Sequence, residues 1–235
     1  MPFTAKSGKF NASINTVEFG TGDKAVKIGG ENVFPLYSFD AAIENAPKVG
    51  IEITDFGMEH EPECIKKYYE GCATLADMAR KAASMEGVDF LSFRMEGGDP
   101  NGANKSTEEL IGELKEIADA VDLPLVVCGC KNVEKDAELF SKAAEALNGK
   151  NAVILSAKEE NYKTVGAAAG LAYKQIVGAE SAVDINLAKQ LNVLISQLGV
   201  DSKSVVMNVG SAADRKSTRL NSSHQLISYA VFCLK

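Results

Sequence analysis

The chain has 235 residues, of which 46% are hydrophobic and 24% are charged, so it is long enough to bury a large core as one domain. Its formal net charge of -7 argues against nucleic acid as a partner, because a phosphate backbone attracts basic surfaces. The longest apolar runs, such as 123–128, are too short for a membrane helix, and no secretory leader opens the chain. Five unevenly spaced cysteines make no disulfide framework. We therefore expect a cytoplasmic protein without a membrane partner.

Residues 1–48 are predicted to form an N-terminal extension built around a β-hairpin. Apolar and polar residues alternate over 14–19 and again over 25–28, and the segment between them contains the turn sequence Gly20-Thr-Gly-Asp23. We expect this hairpin to cover the domain that follows.

From Val49 onwards, a strand followed by a loop and an amphipathic helix recurs along the chain. Short runs of apolar and β-branched residues predict six strands, at 49–54, 90–94, 125–128, 152–155, 175–177 and 204–207. Stretches of helical period predict helices at 72–86, 107–120, 134–148, 161–173 and 184–198. Ser106 and Asn161 are suitable N-caps, and Gly149 and Gly199 are suitable helix ends.

Crossovers this short require parallel strands, which leaves a doubly wound sheet or a (β/α)8 TIM barrel. No Gly-x-Gly-x-x-Gly follows the first of these strands, and the strands end near polar residues such as Asp55, Glu96 and Asn208, which suit a shared ligand-binding end. We therefore favour the barrel. Because a barrel closes with eight strands, residues 49–213 are predicted to be a partial TIM barrel that is truncated after about six strand units.

Residues 214–235 are predicted to be a non-native tail. The segments 214–224 and 227–234 resemble the in-frame translation of a common sequencing-library adapter. The alternative is a genuine final strand, because 227–234 have good β propensity.

Few residues of the chain are typical of metal or acyl-transfer chemistry. Cys128 and Cys130 stand two residues apart at a strand end and are expected to share a face, but two thiols do not complete a metal site. We interpret them as small core residues and predict no metal. His60 lies in a charged segment and is interpreted as a solvated loop residue.

The loop 96–106 is a candidate ligand-binding segment. Its glycines let the backbone approach a ligand closely, and Asp99, Asn101 and Asn104 offer donors and acceptors suited to an uncharged, amide-rich or heterocyclic ligand. The same composition is typical of an ordinary turn, so both interpretations stay open. Segments 159–162 and 184–186 occupy equivalent positions after later strands, although their Asn and Asp residues are also suitable helix caps.

Several sequence blocks, in order, resemble those of a known family. They are 49–55, 97–104, 123–130 with 133–136, 160–163, and 184–186 with 189–192. Over about residues 9–213 the chain resembles the small, or delta, subunit of the corrinoid iron-sulfur protein, which belongs to the acetyl-CoA decarbonylase/synthase and CO dehydrogenase system.

The resemblance implies a (β/α) barrel that pairs with a large (gamma) subunit, which carries the iron-sulfur cluster and most contacts to a shared corrinoid. Such a heterodimer takes a methyl group from a methylated pterin, through a pterin methyltransferase, and passes it to acetyl-CoA synthase and CO dehydrogenase in the Wood-Ljungdahl pathway or its reverse. The Asp-x-His-x-x-Gly sequence that places a histidine on corrinoid cobalt is absent, so we expect no axial ligand from this chain. The chain is expected to be a component of this system and not a catalyst by itself.

Six polar side chains are predicted to face the corrinoid or the subunit boundary: Asp55, Asp99, Asn104, Asn161, Asn186 and Asn208. Two other functions compete with this one. Similar barrels serve as self-sufficient pterin-binding methyltransferases, and the chain could equally be a purely structural assembly subunit.

Overall fold

The computed structural model describes residues 13–32, 44–181 and 184–209. In chain order its strands and helices are β1 (Val17–Phe19), β2 (Val26–Ile28), β3 (Gly50–Thr54), α1 (Glu63–Tyr68), α2 (Leu75–Ala83), β4 (Phe90–Arg94), α3 (Thr107–Ala120), β5 (Leu125–Cys128), α4 (Val133–Ala146), β6 (Val153–Ala157), α5 (Tyr162–Val165), β7 (Ile176–Glu180), α6 (Ile185–Gln197) and β8 (Val205–Asn208). The predicted tail, 214–235, lies outside the described residues, as do 1–12 and 33–43 of the predicted extension. None of the helices in the described ranges has the length and apolar character needed to cross a bilayer.

Strands β3 to β8 form one parallel sheet in which spatial order follows chain order. The predicted α/β fold with a parallel sheet is therefore confirmed. Within the described residues β3 and β8 are edge strands, each paired on one side, so this part of the chain does not close into a barrel.

Helices α2 to α6 pack against one face of the sheet, which we call the outer face. Alternate strand residues such as Leu91, Phe93 and Val127 point to this face and join a single buried cluster with α2, α3, α4 and α6. In α3 the helical period is explicit, because buried residues recur along one side and the Ser106 side chain accepts the Glu109 N–H at 3.2 Å. The predicted helix 107–120 is confirmed with the same bounds.

The predicted hairpin is also present, since β1 and β2 pair antiparallel. It packs on the inner face of the sheet, opposite the helices, in a second buried cluster formed by Val17, Phe19, Val26, Val153, Ile176 and Val206. Gly20 N–H donates to the Asn151 carbonyl at 2.7 Å, and Asn151 Nδ2 donates to the Glu18 carbonyl at 3.0 Å. Asn151 lies just before β6, so the hairpin lies at the amino ends of the strands.

The helical segment before β7 is less regular than predicted. The predicted helix 161–173 is α-helical over α5 and then continues as π-helical turns over Gly166–Ala172. A Cβ at Gly166 would lie 2.9 Å from Leu198 Cδ1, and a Cβ at Gly170 would lie 2.7 Å from Val200 Cγ2. The close packing of this segment therefore depends on its glycines.

Candidate functional site

The carboxyl ends of β4 to β8 surround a cavity of about 260 Å³ on the inner face of the sheet, which we call the inner-face cavity. The polar and ionisable side chains that line it are Arg94, Cys128, Lys131, Asp136, Ser156, Lys158, Glu180 and Asn208. Their positions follow from strand geometry, because every second side chain of a strand points to the same face. Arg94, Glu180 and Asn208 are each the last residue of a strand and lie two residues beyond an inner-face position.

Arg94 is fixed by Glu52 on the neighbouring strand. Its Nε donates to Glu52 Oε1 and its Nη2 to Glu52 Oε2, both at 2.8 Å, in a bidentate pair. These hydrogen bonds raise the pKa of Arg94 above its usual range, against the opposing effect of burial. The pair joins β3 to β4 and orients the guanidinium beside the cavity.

Two further contacts link neighbouring strands. Ser156 Oγ donates to Glu180 Oε2, which engages the carboxylate at the end of β7. The Cys128 thiol lies 3.5 Å from Ser92 Oγ, and burial raises the pKa of Cys128. This thiol is consequently protonated at neutral pH and contributes no charge to the cavity.

Asp136, near the start of α4, holds the loop that follows β5. Its Oδ1 accepts the Cys130 N–H at 2.7 Å and lies 3.2 Å from Cys130 Sγ, while burial raises the pKa of Asp136. A Cβ on Gly129 would overlap Asp136 Oδ1, so the loop requires glycine there.

The two cysteines do not share a face, contrary to our expectation. Cys128 lines the inner-face cavity, whereas Cys130 belongs to the outer buried cluster, where burial raises its pKa to about 11. Strand alternation does not apply to this pair, because β5 ends at Cys128. Among the described residues no three His, Cys, Asp or Glu side chains lie close enough together to hold a metal ion.

Asp55 belongs to a partly buried ion cluster outside the cavity, which we call the Lys105 cluster: Asp55, Lys105 and Glu113. Lys105 Nζ lies 3.1 Å from Asp55 Oδ2 and 3.1 Å from Glu113 Oε1. The Asp55 carboxylate, whose side chain is 0% exposed, also accepts the Gly97 N–H at 2.9 Å. Asp55 therefore fixes the loop 96–105 to the end of β3.

The other predicted site residues lie in different surroundings. Asn161 is buried, and its Oδ1 accepts the Lys158 N–H at 2.7 Å. Asp99 is half-buried and accepts the Asn101 N–H at 2.9 Å, whereas Asn104 and Asn186 are exposed. Of the six predicted residues, Asn208 alone lines the inner-face cavity.

Sequence reasoning missed six polar lining residues: Arg94, Lys131, Asp136, Ser156, Lys158 and Glu180. A charged residue at the end of an otherwise apolar strand could have predicted two of them. Arg94 follows Phe90-Leu-Ser-Phe, and Glu180 follows Ile176-Val-Gly-Ala. A charge at such a position faces the inner side and is costly to bury unless it is paired or faces a cavity.

A model of the CO dehydrogenase/acetyl-CoA synthase delta subunit family matches residues 16–221. The chain is 30% identical over 202 residues to the acetyl-CoA decarbonylase/synthase complex subunit delta of Methanothermobacter thermautotrophicus. This alignment covers 85% of this chain and 51% of that protein. The subunits delta of Methanocaldococcus jannaschii and Archaeoglobus fulgidus are also 30% identical, with coverage of 85% and 83% of this chain and 51% and 43% of those proteins. The chain thus spans about half the length of these curated relatives. Because the match extends over most of its residues and confirms the resemblance found in the sequence, the chain belongs to the CO dehydrogenase/acetyl-CoA synthase delta subunit family.

Proposed function

We propose that this chain is the small subunit of a corrinoid iron-sulfur methyl carrier, which moves a methyl group from a methylated pterin to an acetyl-CoA synthase site. The main support is family membership over residues 16–221. The proposed partners are a large (gamma) corrinoid iron-sulfur subunit, a pterin methyltransferase and acetyl-CoA synthase with CO dehydrogenase, and the proposed location is the cytoplasm.

We also propose that the parallel sheet is part of a (β/α)8 barrel. Three features support this winding: strand order follows chain order, the helices pack on one face, and the inner face is lined by a second set of side chains. A doubly wound sheet would instead reverse its strand order and place helices on both faces.

The described residues do not by themselves enclose a corrinoid. The inner-face cavity, at about 260 Å³, is smaller than the roughly 300–1,000 Å³ of pockets that hold drug-sized ligands, and a corrin ring with its side chains is larger than most of those ligands. His60, the histidine in the described part of the chain, is exposed and packs its ring 4.9 Å from Phe56. We therefore assign the corrinoid and the iron-sulfur cluster chiefly to the large subunit, with this chain as a cover.

The predicted site residues then divide into two roles. Asn104 is exposed on the loop after β4, and Asn186 is exposed in the first turn of α6, so that both amides are available to a group seated outside the cavity. Asp55 is engaged within the Lys105 cluster, so its proposed role is to hold the loop that includes Asp99 and Asn104. A rigid loop lowers the entropic cost of binding.

The test uses the full chain co-expressed with the large subunit. We expect Asn104→Ala with Asn186→Ala to reduce both retained corrinoid and the rate of cobalt methylation by methylated pterin and its methyltransferase, followed by absorbance. Gln190→Ala is the matched control, since Gln190 is an exposed amide one turn further along α6. Unchanged retention and rate in the double variant would refute the assigned contacts, and failed assembly after surface substitutions alone would favour a structural assembly subunit.

A self-sufficient pterin-binding methyltransferase is the second candidate. The observation that favours it is the polar cavity at the carboxyl ends of the strands, where parallel α/β folds commonly bind ligands. Titration of the purified chain with methylated pterin in the absence of partners separates the two, because only the enzyme should bind the pterin alone.

A further inference from the structure

The acidic side chains at the inner-face cavity are already engaged by the protein. Glu180 accepts a hydrogen bond from Ser156, and Asp136 accepts one from the Cys130 N–H. Glu52 is paired with Arg94 through both carboxylate oxygens. These contacts use part of the hydrogen-bonding capacity of each carboxylate and hold it in place.

Two lysines at the cavity lack such partners. Lys131 follows β5 and Lys158 follows β6, so they belong to consecutive strand-to-helix loops, and both line the cavity. Within the described ranges no carboxylate oxygen lies within 4.0 Å of either Nζ. The lining carboxylates Asp136 and Glu180 balance these two lysines in formal charge, and Lys158 acts electrostatically on Asp136, but neither ammonium group is held in an ion pair within the described ranges.

The loops that border the cavity also contain buried polar atoms without a hydrogen-bond partner. Among the described residues these atoms include Asn161 Nδ2 and Ser181 Oγ, in residues that are only 4% and 1% exposed. Asn161 is bonded to the backbone of Lys158, and Ser181 directly follows Glu180. Neither residue lines the cavity itself, and buried water is the usual partner of such atoms.

We propose that the inner-face cavity binds a small molecule with a carboxylate or phosphate group, and that Lys131 and Lys158 are its charged ligands. Arg94, held by Glu52, also lines the cavity. The cavity volume of about 260 Å³ suits a small metabolite. This site goes beyond the proposed methyl-carrier function and does not depend on it.

The binding test uses the full chain and three probes. Acetate and inorganic phosphate represent the two anion classes, and acetamide is a neutral molecule with nearly the shape of acetate. Isothermal titration calorimetry should detect acetate or phosphate and not acetamide, and affinity should fall as salt increases. If only one anion binds, the group that the natural ligand presents is identified.

Matched variants test the assigned ligands. Lys158→Gln and Lys131→Gln should each weaken anion binding by about tenfold, the loss expected for one charge-assisted hydrogen bond. Lys142→Gln removes the same charge from the exposed side of α4, where Lys142 pairs with Glu145, and should leave affinity unchanged. Equal weakening by all three variants would show a nonspecific charge effect and overturn the proposal.

Cys128 reports the location of the bound anion, because its thiol lines the cavity. The backbone amide signal of Cys128 in NMR spectra should shift as the anion binds, whereas the signal of the exposed Cys64 should not. This readout needs no substitution, so it remains decisive if a lysine variant fails to fold. The absence of binding by both anions, or binding without a shift of the Cys128 signal, would overturn the proposal.

Discussion

Two buried carboxylates fix the loops at the carboxyl end of the sheet, residue by residue. Asp55 accepts the N–H of Gly97, and Asp136 accepts the N–H of Cys130. In both loops a glycine lies against the carboxylate, so that a Cβ on Gly97 or Gly129 would overlap it. The conformation of each loop thus depends on a glycine in the loop and on a carboxylate from another segment, at the end of β3 or in α4.

Gly97→Ala is expected to lower the free energy of unfolding by about 1–3 kcal/mol, because the new methyl group forces Asp55 or the loop to move. Gly112→Ala is the control, since Gly112 is an exposed residue of α3 with no atom within 4 Å of an added Cβ. That control should stabilise the protein by about 0.5–1 kcal/mol. Urea denaturation measures both, and equal effects in the two variants would contradict the assigned overlap.

Glu113 gives the Lys105 cluster a defined dependence on pH. Burial raises the pKa of Glu113 above its ordinary value of 4.5, and the hydrogen bond from Lys105 only partly opposes this effect. Lys105 itself has a raised pKa: burial lowers it, but hydrogen bonds to Asp55 and Glu113 outweigh burial. The two directions are compatible, because one ammonium serves two carboxylates.

A folded-state pKa above the unfolded value means that folding favours the protonated carboxyl group. The contribution of Glu113 to stability is therefore fully present below its unfolded pKa and is lost as pH rises through its folded pKa. Relative to Glu113→Gln, the wild-type chain should lose stability in urea denaturation as pH rises from the ordinary carboxyl pKa of 4.5 through the raised folded-state pKa. A wild-type advantage that grows with pH would instead show that the ion pair with Lys105 dominates.

At the scale of elements, the hairpin is the most informative unit, because its apolar side chains complete the inner core. Phe19 is 2% exposed and meets Phe90 edge to face at 5.8 Å. Phe19→Ala should cost about 3–5 kcal/mol of unfolding free energy, whereas the exposed Glu18→Ala should change it by no more than about 0.5 kcal/mol. Chemical denaturation tests this, and a small loss for Phe19→Ala would mean that the hairpin packs only loosely on the sheet.

The sequence was sufficient to predict elements whose local signals agree with their burial. Strands β4 and β5 and helix α3 have their predicted bounds, because each combines a clear period with a definite end. Helix α1 was not predicted, since its six residues bury no side chain and so show no apolar stripe. Strand β6 extends past its predicted end at residue 155 to Ala157, where its pairing with β7 changes register.

The candidate site was predictable only in part, because its members meet through strand order and not through sequence proximity. Polar residues after strands drew attention to Asn208, but the same rule selected Asp55, whose partners are within the protein. Lys158 and Ser156 sit just after the predicted end of β6, in a stretch without a recognisable motif. Only the three-dimensional arrangement shows that these side chains surround one cavity.

At the scale of the whole molecule, the edges of the parallel sheet are its main liability. Within the described residues β3 and β8 each leave one side without a strand neighbour, and such edges pair readily with other chains. We expect the isolated full chain to associate with increasing concentration, as measured by sedimentation velocity. A monomer across the accessible range, together with one cooperative melting transition, would show that the edges are protected.

The contact between the hairpin and Asn151 determines when the protein can finish folding during synthesis. Gly20 and Asn151 are separated by 131 residues, and the hairpin also packs on Val206. Strands β1 and β2 therefore wait until Val206 has left the ribosome, with Phe19 and its apolar neighbours uncovered in the meantime. In a nascent chain, the hairpin is made before the sheet but can dock only after it.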